Sequence, residues 1–338
     1  MVAIDIVRAH NASLKSLSPN LVAVFVGGTS GIGFFTAREF VRNTTSPHVY
    51  LIGRNATEAG RIIEELSSIN SSSQVSFIQQ DISLLKNVDE ACSEIKSKEK
   101  QVNVLFMTCG YLTMQGRNET AEGLDRKMAV QYYSRMRFIS QLTPLLDNAS
   151  AANNLSRVVN VLDPQAGLRL GGLDYSDLSL RHNFSLRKVL LHASAMTNLS
   201  IAHLASENPK TSYIHGYPSA VDTGVTRELF GRFNKAVTLA LGGLFGRFLF
   251  VPQMESGERH LFAATAPRYA PKVDGAQTEV IGSDGVKGSG SYVLNWNGDI
   301  LTDTKNARKL REEGGMEKVW KHTQEVMSKI AESGRFSG

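Results

Sequence analysis

Cysteine is scarce in this chain, and so are the patterns that would give it a structural role. The 338 residues contain only two cysteines, Cys92 and Cys109, with no paired spacing. Disulfide frameworks and zinc sites both need several cysteines at short, regular intervals. The composition therefore supports neither a disulfide-stapled fold nor a zinc site, and we expect no bound metal.

Long apolar runs are scarce as well. The one long run after the middle of the chain, residues 236–251, has 16 residues and is interrupted by Gly242, Gly243, Gly246 and Arg247. A helix that spans a bilayer needs about 20 consecutive apolar residues. We interpret this stretch as a buried or lid helix without stable membrane insertion, and contact with a membrane surface is the lesser alternative.

The first 20 residues lack the unbroken apolar core of a secretory signal. Asp5, Arg8 and Lys15 interrupt their apolar residues. A signal peptide needs a continuous apolar segment of about 7–15 residues. We therefore expect a cytoplasmic protein and treat residues 1–20 as an N-terminal extension.

Charge of one sign is not concentrated anywhere in the chain. Lysine and arginine number 37, aspartate and glutamate 32, and the net charge of +5 is spread over the sequence. Proteins that bind nucleic acid gather basic residues on one face or stripe. The pattern indicates an ordinary solvated surface with room for an anion site, and argues against nucleic-acid binding.

What the chain does have is a regular alternation of strand-like and helical patterns. Apolar runs rich in Val, Ile and Leu occupy residues 21–28, 48–54, 75–83, 102–110, 157–162 and 211–218, and helical patterns occupy 34–43, 57–70, 85–98, 123–146 and 185–206. Buried strands separated by helices are typical of a parallel sheet covered on both faces. We predict a single Rossmann-type, doubly wound α/β domain over residues 21–265. Residues 266–338 would extend it with a strand (290–299) and a helix (316–331).

The sharpest motif is VGGTSGIG, residues 26–33, between the first predicted strand and the first predicted helix. Gly27 permits a tight turn, Gly31 lets the backbone approach a pyrophosphate, and Gly33 lets the helix pack closely on the strand. The helix N-terminus then offers free N–H groups to the phosphates. The motif predicts a dinucleotide-binding loop formed by Gly27, Thr29, Ser30, Gly31, Ile32 and Gly33.

With this motif in this context, the sequence resembles the short-chain dehydrogenase/reductase family. The resemblance runs from about residue 21 to about residue 264, and it includes QQDIS after the third strand, Cys109-Gly110 at the end of the fourth and YPSAVDT after the sixth. The opening segment and the later SGERHLFAAT more particularly resemble fungal members associated with secondary metabolism. The resemblance implies an oxidoreductase that uses a nicotinamide cofactor.

The residue after the second strand selects the cofactor in this family. An acidic side chain there bonds the ribose hydroxyl of NAD, whereas Arg54 in IGRN suits the 2′-phosphate of NADP. The resemblance therefore implies NADP(H), and the alternative is a surface arginine at a strand end. It also implies contacts with the adenine, the ribose and the nicotinamide from Asp81, Ile82, Gly110, Lys188, Pro218 and Thr223.

The family's catalytic tyrosine is missing. Family enzymes use a tyrosine four residues before a lysine, together with a serine and an asparagine, to protonate a carbonyl that accepts a hydride. Here Lys188 is preceded at that distance by Phe184. An alignment from the later helix residues instead gives Leu186 and Leu190, in which case Lys188 is an ordinary helix lysine. Neither alignment restores the tyrosine.

The serine and asparagine positions have also changed. Asp163 falls where the serine is usual; it could act as a base or simply form a turn before Pro164. Gln131 falls where the asparagine is usual, and Tyr133, two residues later, either reaches the pocket or packs in the core. Further proton carriers by side-chain chemistry alone are Tyr175, His192, His215 and Tyr217.

Three functions follow from these residues. The first is an NADP-dependent reductase or dehydrogenase without the usual acid, whose substrate is a hydrophobic small molecule because residues 227–251 are rich in Leu and Phe. The second is a redox-neutral isomerase, cyclase or dehydratase that uses Asp163, Lys188 or Tyr133. The third is a non-catalytic NADP-binding protein. The C-terminal part could support homo-oligomerisation.

Overall fold

A computed structural model describes residues 1–110, 113–169, 171–221, 250–273, 278–301 and 304–338. Two predictions lie outside these residues. They are the nicotinamide contact of Thr223 and nearly all of the predicted lid, residues 227–251.

A seven-stranded parallel sheet forms the centre of the molecule. Its strands are β1 Val22–Val26, β2 His48–Gly53, β3 Gln74–Gln79, β4 Val104–Met107, β5 Arg157–Val161, β6 Ser212–Gly216 and β7 Ser291–Leu294. They are arranged in the order β3-β2-β1-β4-β5-β6-β7, and every neighbouring pair is parallel. This confirms the predicted doubly wound α/β fold. The strand order reverses between β1 and β4. In doubly wound sheets this reversal forms a ligand-binding crevice at the carboxyl ends of the strands.

Helices cover both faces of the sheet. They are α1 Ile4–Ser13, α2 Gly31–Asn43, α3 Ala56–Ile69, α4 Leu85–Lys98, α5 Arg126–Met128, α6 Ser134–Ala151, α7 Gln165–Arg169, α8 Leu186–Glu207, α9 Gln253–Thr265, α10 Lys305–Glu312 and α11 Gly315–Ser333. Between α5 and α6, residues Ala129–Tyr133 form a π-helical turn. The structure therefore has two α-helical segments and a π-helical turn where the sequence predicts one helix over 123–146. Together they run from Arg126 to Ala151.

Two hydrophobic cores explain why the strands are almost continuously apolar. Alternate residues of β1 point to opposite faces: Val24 packs in the core beneath α4, α6, α8 and α11, whereas Phe25 packs in the core beneath α1, α2, α3 and α9. Because successive strand residues face opposite sides of a sheet, a strand buried on both faces needs apolar residues throughout. All five residues of β1 are buried.

The N-terminal 20 residues take part in the second of these cores. Helix α1 lies against α2 and α9. Val7 and Leu14 are buried, and Asn11 Nδ2 donates a hydrogen bond to Glu258 O at 2.9 Å. This segment, which we expected only as an extension, therefore packs against the Rossmann domain.

We expect acid to destabilise the protein through His260 of α9. The ring is buried edge-on to Phe106, and Nδ1 lies 2.7 Å from Ser256 O. Burial lowers the pKa of His260 to about 4. In the unfolded chain the imidazole is protonated below about pH 6.5, whereas in the folded chain it stays neutral down to about pH 4. The free energy of unfolding is therefore highest above about pH 6.5 and decreases as the pH falls from about 6.5 to about 4.

The change that tests this is His260→Phe, which keeps a buried ring without a titratable nitrogen. Urea unfolding of the wild type should show a loss of about 2–3 kcal/mol from this group between pH 7 and pH 4. Between the same two pH values, the free energy of unfolding of the variant should decrease by about 2–3 kcal/mol less than that of the wild type. Parallel stability curves for the two proteins would contradict the assignment.

Candidate active site

The glycine loop joins β1 to α2 in a conformation that only glycine tolerates easily. Gly27 and Gly31 have φ values of +86° and +53°, in the left-handed region. A Cβ on Gly33 would lie 2.4 Å from Gly27 O, so the helix and the loop are too close for a side chain. Ser30, at the N-cap of α2, makes no side-chain capping bond. The first N–H groups of the helix thus remain available, which suits a pyrophosphate.

Thr108, which the sequence analysis did not single out, ties this loop to β4. Thr108 Oγ1 donates a hydrogen bond to Gly27 O at 3.2 Å. A Cβ added to Gly27 would lie 2.8 Å from Thr108 Oγ1. β1 and β4 flank the point where the strand order reverses. The contact therefore holds the two sides of the crevice together, and its only sequence signal is a position directly before Cys109-Gly110.

Arg54 directly follows β2 and lies beside the glycine loop. A Cβ on Gly53 would lie 2.8 Å from Thr29 Oγ1, so the end of β2 and the loop are in close contact. Gln79 Nε2 donates to Arg54 O at 3.1 Å, and the Arg54 side chain is exposed. The guanidinium is accessible for a phosphate group on the β2 side of the loop.

Asp81, after β3, stands close to two arginines. Burial by itself would raise the pKa of Asp81, but hydrogen bonds from Ser83 and the charges of Arg126 and Arg54 outweigh it and lower the pKa. Arg126 Nη2 lies 3.5 Å from Asp81 Oδ2. Ile82 is half-buried against the first core. Arg126 was not identified from the sequence.

The backbone beyond β4 and β6 is open toward the same crevice. Gly110 is exposed, and an added Cβ would meet no described heavy atom within 4 Å. Pro218 is half-buried. Ser219 has a φ of +62°, in the left-handed region that favours glycine.

Phe184 and Lys188 stand at the start of α8. The Phe184 ring packs against the first core, and Lys127 Nζ lies 5.0 Å from its centroid. Lys188 is 39% exposed, and its ammonium lies 4.0 Å from Asp174 Oδ2. Within the described part of the chain, no ion pair joins Lys188 to Asp163.

Gln131 and Tyr133 lie in the π-helical turn, a feature often found near functional sites. Both residues are buried. The Tyr133 hydroxyl lies 2.8 Å from His322 Nε2 of α11, and burial raises the pKa of Tyr133 far above its usual value. The structure thus places this hydroxyl against the C-terminal helix and away from Asp163.

Asp163 and Tyr217 follow the carboxyl ends of the neighbouring strands β5 and β6. Val161 pairs with Gly216, and Leu162 N donates to Gly216 O at 3.2 Å, so the two residues follow neighbouring strand ends. Asp163 is exposed and its Oδ1 accepts the Gln165 N–H at 2.8 Å. Burial, and then the charge of Asp163, raise the pKa of Tyr217.

The other proton-carrying candidates are engaged elsewhere. His192 Nδ1 lies 3.2 Å from Leu178 O, and His215 Nδ1 lies 2.7 Å from Asn198 Oδ1. Tyr175 is half-buried, with Lys318 Nζ 4.7 Å from its ring centroid. Tyr217 is therefore the member of this group that the fold brings beside Asp163.

Comparison with known proteins agrees with this architecture. A family model for short chain dehydrogenase matches residues 21–166. The protein named Oxidoreductase AN1596, from Emericella nidulans, is 42% identical over 339 residues, covering 97% of this chain and 98% of its own. The chain belongs to the short-chain dehydrogenase family. This confirms the resemblance noted in the sequence.

Solved structures share the fold at low sequence identity. The RhlG/NADP active-site complex of Pseudomonas aeruginosa superposes with a TM-score of 0.58 at 18% identity, over 84% of this chain and 98% of that chain. The MalC Reductase/Diels-Alderase from Malbranchea aurantiaca gives a TM-score of 0.57 at 15% identity, over 84% and 96%. Both similarities concern the fold alone.

The departure of this chain from its family at the catalytic positions stays a prediction from the sequence. Phe184, Asp163 and Gln131 stand where the sequence resemblance implies tyrosine, serine and asparagine. Asp163 and Tyr217 follow neighbouring strand ends, and the charge of Asp163 contributes to the raised pKa of Tyr217. Within the described ranges, no three His, Cys, Asp or Glu residues converge as metal ligands, and no helix has the length and apolarity to cross a membrane.

Proposed function

We propose that this protein is an NADP(H)-dependent oxidoreductase that acts on a hydrophobic small molecule, in fungal secondary metabolism, without the usual tyrosine acid. The observation that carries the proposal is the glycine loop closed by Gly33, with Arg54 exposed beside it. The loop's geometry fits a pyrophosphate, and the arginine fits a 2′-phosphate. The 42% identity to an oxidoreductase of Emericella nidulans supports the fungal part of the proposal.

In the proposed reaction the cofactor supplies the hydride, and the residues at the ends of β5 and β6 handle the proton. Bound NADPH would supply the hydride. Tyr217 is protonated at neutral pH, as a tyrosine ordinarily is, and burial raises its pKa further, so its hydroxyl can donate a hydrogen bond to a substrate oxygen or nitrogen. The Asp163 carboxylate beside it can accept or return a proton. A weak donor with a nearby carboxylate favours reductions that need no strong acid, such as those of C=C or C=N bonds.

The substrate class and the domain limits are part of the same proposal. Residues 227–251, which carry several Leu and Phe residues, would cover an apolar substrate. The unit that binds cofactor and substrate would be residues 21–265, with 1–20 and 266–338 as its extensions, in the cytoplasm.

A redox-neutral reaction is the second candidate, because three site positions have changed together. One substitution could be accommodated within the same chemistry, whereas the replacement of tyrosine, serine and asparagine at once is what a different reaction requires. The protein named MalC Reductase/Diels-Alderase, which has the same fold, combines two reaction types in its name. In this case Asp163 would act as the base of an isomerase, cyclase or dehydratase, with Lys188 or Tyr133 as the alternatives.

Titration with NADPH, followed by its fluorescence, tests the cofactor. We expect the wild type to bind NADPH more tightly than NADH. Arg54→Ala should weaken NADPH binding about tenfold to a hundredfold and leave NADH unaffected, because a charge-assisted bond to phosphate contributes about 1.5–3 kcal/mol.

The matched control is Arg42→Ala. Arg42 is a partly exposed arginine in the last turn of α2, at the opposite end of the helix from the glycine loop. Its loss should leave both affinities unchanged. If neither nucleotide binds the wild type, the oxidoreductase proposal fails, and the redox-neutral reaction becomes the leading candidate.

A further inference from the structure

Arg135 of α6 is a fully buried cation that donates to three backbone carbonyls and also interacts with the Cys109 thiol. Its guanidinium donates to Met107 O at 3.2 Å, to Cys109 O at 2.5 Å and to Val161 O at 3.0 Å. Its exposed fraction is 0%. In the part of the chain that the structure describes, no carboxylate pairs with it. Burial lowers the pKa of Arg135, but a guanidinium stays protonated in proteins. The positive charge is therefore stabilised by carbonyl oxygens and the Cys109 side chain, and among the described residues no carboxylate neutralises it.

Polar neighbours of Arg135 are unsatisfied too. Met107, Asn160 and His215 lie side by side on β4, β5 and β6. Among the described residues, Arg135 Nε, both polar side-chain atoms of Asn160 and His215 Nε2 have no hydrogen-bond partner. Burial, and then the charge of Arg135, lower the pKa of His215 to about 3. The charge of Arg135 on α6 therefore acts on His215 of β6, and among the described residues no carboxylate neutralises it.

This cation lies beneath one half of the crevice. The β4–β5 ladder ends at the pair Met107 and Asn160, and beyond it the guanidinium bridges the two strand ends. Cys109 O directly precedes Gly110, and Val161 O lies two residues before Asp163. Arg54 and Asp81 follow β2 and β3, on the other side of the strand reversal. A dinucleotide with its adenosine half over β2 and β3 would have its nicotinamide half over β4 and β5.

We propose that Arg135 makes this site select the reduced cofactor, so that the protein binds NADPH more tightly than NADP⁺. The inference rests on the proposed NADP(H) binding. The oxidised nicotinamide ring carries a positive charge and the reduced ring carries none, while the phosphates of the two are the same. A buried cation at the carboxyl ends of β4 and β5 would therefore repel only the oxidised form of a nicotinamide held there. The preference favours reduction, because it loads the reduced cofactor and speeds release of the oxidised one.

The chain offers a matched control at the other end of the same strand. Arg157, the first residue of β5, is also buried and bonded to carbonyls only, with Ala263 O at 2.9 Å and Ala266 O at 3.3 Å. Four residues of strand, about 13 Å, separate it from Val161. Arg157→Met therefore removes an equivalent buried charge far from the crevice.

The experiment measures the dissociation constants of NADPH and NADP⁺ and takes their ratio for each protein. We expect NADPH to bind more tightly to the wild type. Arg135→Met should reduce the preference roughly severalfold, because it removes one of two like charges that repel each other across a partly screened interior. Arg157→Met should leave the ratio unchanged, whatever it does to the melting temperature.

A second variant guards against misfolding of the first. Asn160→Asp places a carboxylate beside the guanidinium with almost no change in volume, and it should also reduce the preference. An unchanged ratio in both Arg135→Met and Asn160→Asp, or an equal change in Arg157→Met, overturns the role of Arg135 and leaves the proposed function standing. Failure of the wild type to bind either nucleotide overturns both.

Discussion

Replacing Gly33 by alanine is expected to abolish nucleotide binding. The added Cβ would lie 2.4 Å from Gly27 O and 2.9 Å from Thr108 Oγ1. The first of these is a backbone atom that cannot rotate away, so the loop must leave α2. Loss of two charge-assisted bonds to phosphate would weaken NADPH binding at least about a hundredfold. The overpacked loop would also cost about 1–3 kcal/mol of unfolding free energy.

The control for this change is Gly60→Ala in α3. An added Cβ there meets no described atom within 4 Å, and Gly60 lies inside a helix. Alanine should therefore stabilise the protein by up to about 1 kcal/mol and leave NADPH affinity unchanged. Isothermal titration and thermal melting of both variants measure the two effects. Unaltered NADPH affinity in Gly33→Ala would show that the nucleotide does not use this loop.

Asp163→Asn is expected to reduce turnover about 10²–10⁴-fold without weakening NADPH binding. A positioned acid or base contributes a factor of this size. The amide oxygen of asparagine can still accept the Gln165 N–H that Asp163 Oδ1 now accepts at 2.8 Å, so the turn is preserved. Only the ability to exchange a proton is lost. The measurement is NADPH consumption with apolar carbonyl, enone and imine substrates, beside NADPH affinity.

Asp284→Asn is the matched control for this prediction. Asp284 Oδ1 accepts the Val286 N–H at 3.0 Å in the same two-residue turn, in the loop before β7. Its replacement should leave turnover unchanged. We also expect Phe184→Tyr to give no rescue of Asp163→Asn, because the ring packs beneath Lys127. Full turnover by Asp163→Asn, or recovery in the double variant, would move the proton transfer to another residue.

Local patterns were sufficient to predict the sheet and its cofactor loop. The strands are continuous apolar runs because both of their faces are buried, and that property is visible residue by residue. Gly27 and Gly33 are needed for contacts between adjacent segments of the chain, so their spacing carries the information. Helix ends were less predictable, as the π-helical turn at Ala129–Tyr133 illustrates.

The site residues could not be predicted in the same way. Tyr133 and Tyr217 are equivalent by side-chain chemistry, yet one hydroxyl contacts His322, 189 residues away, and the other residue follows the strand beside Asp163. Arg135 reads as one more helix arginine until the carbonyls of β4 and β5 are placed around it.

The sequence by itself determined the parallel α/β fold and the spacing of the glycine loop, and it predicts the loss of the catalytic tyrosine. Each of these depends on residues near one another in the chain, through periodicity, turn geometry or a fixed spacing. Only the tertiary structure decided that Asp163 and Tyr217 follow neighbouring strand ends and that Arg135 is buried with no carboxylate partner among the described residues. Those relations join residues from different strands and helices, so they depend on the order and register of the sheet, which no local pattern records.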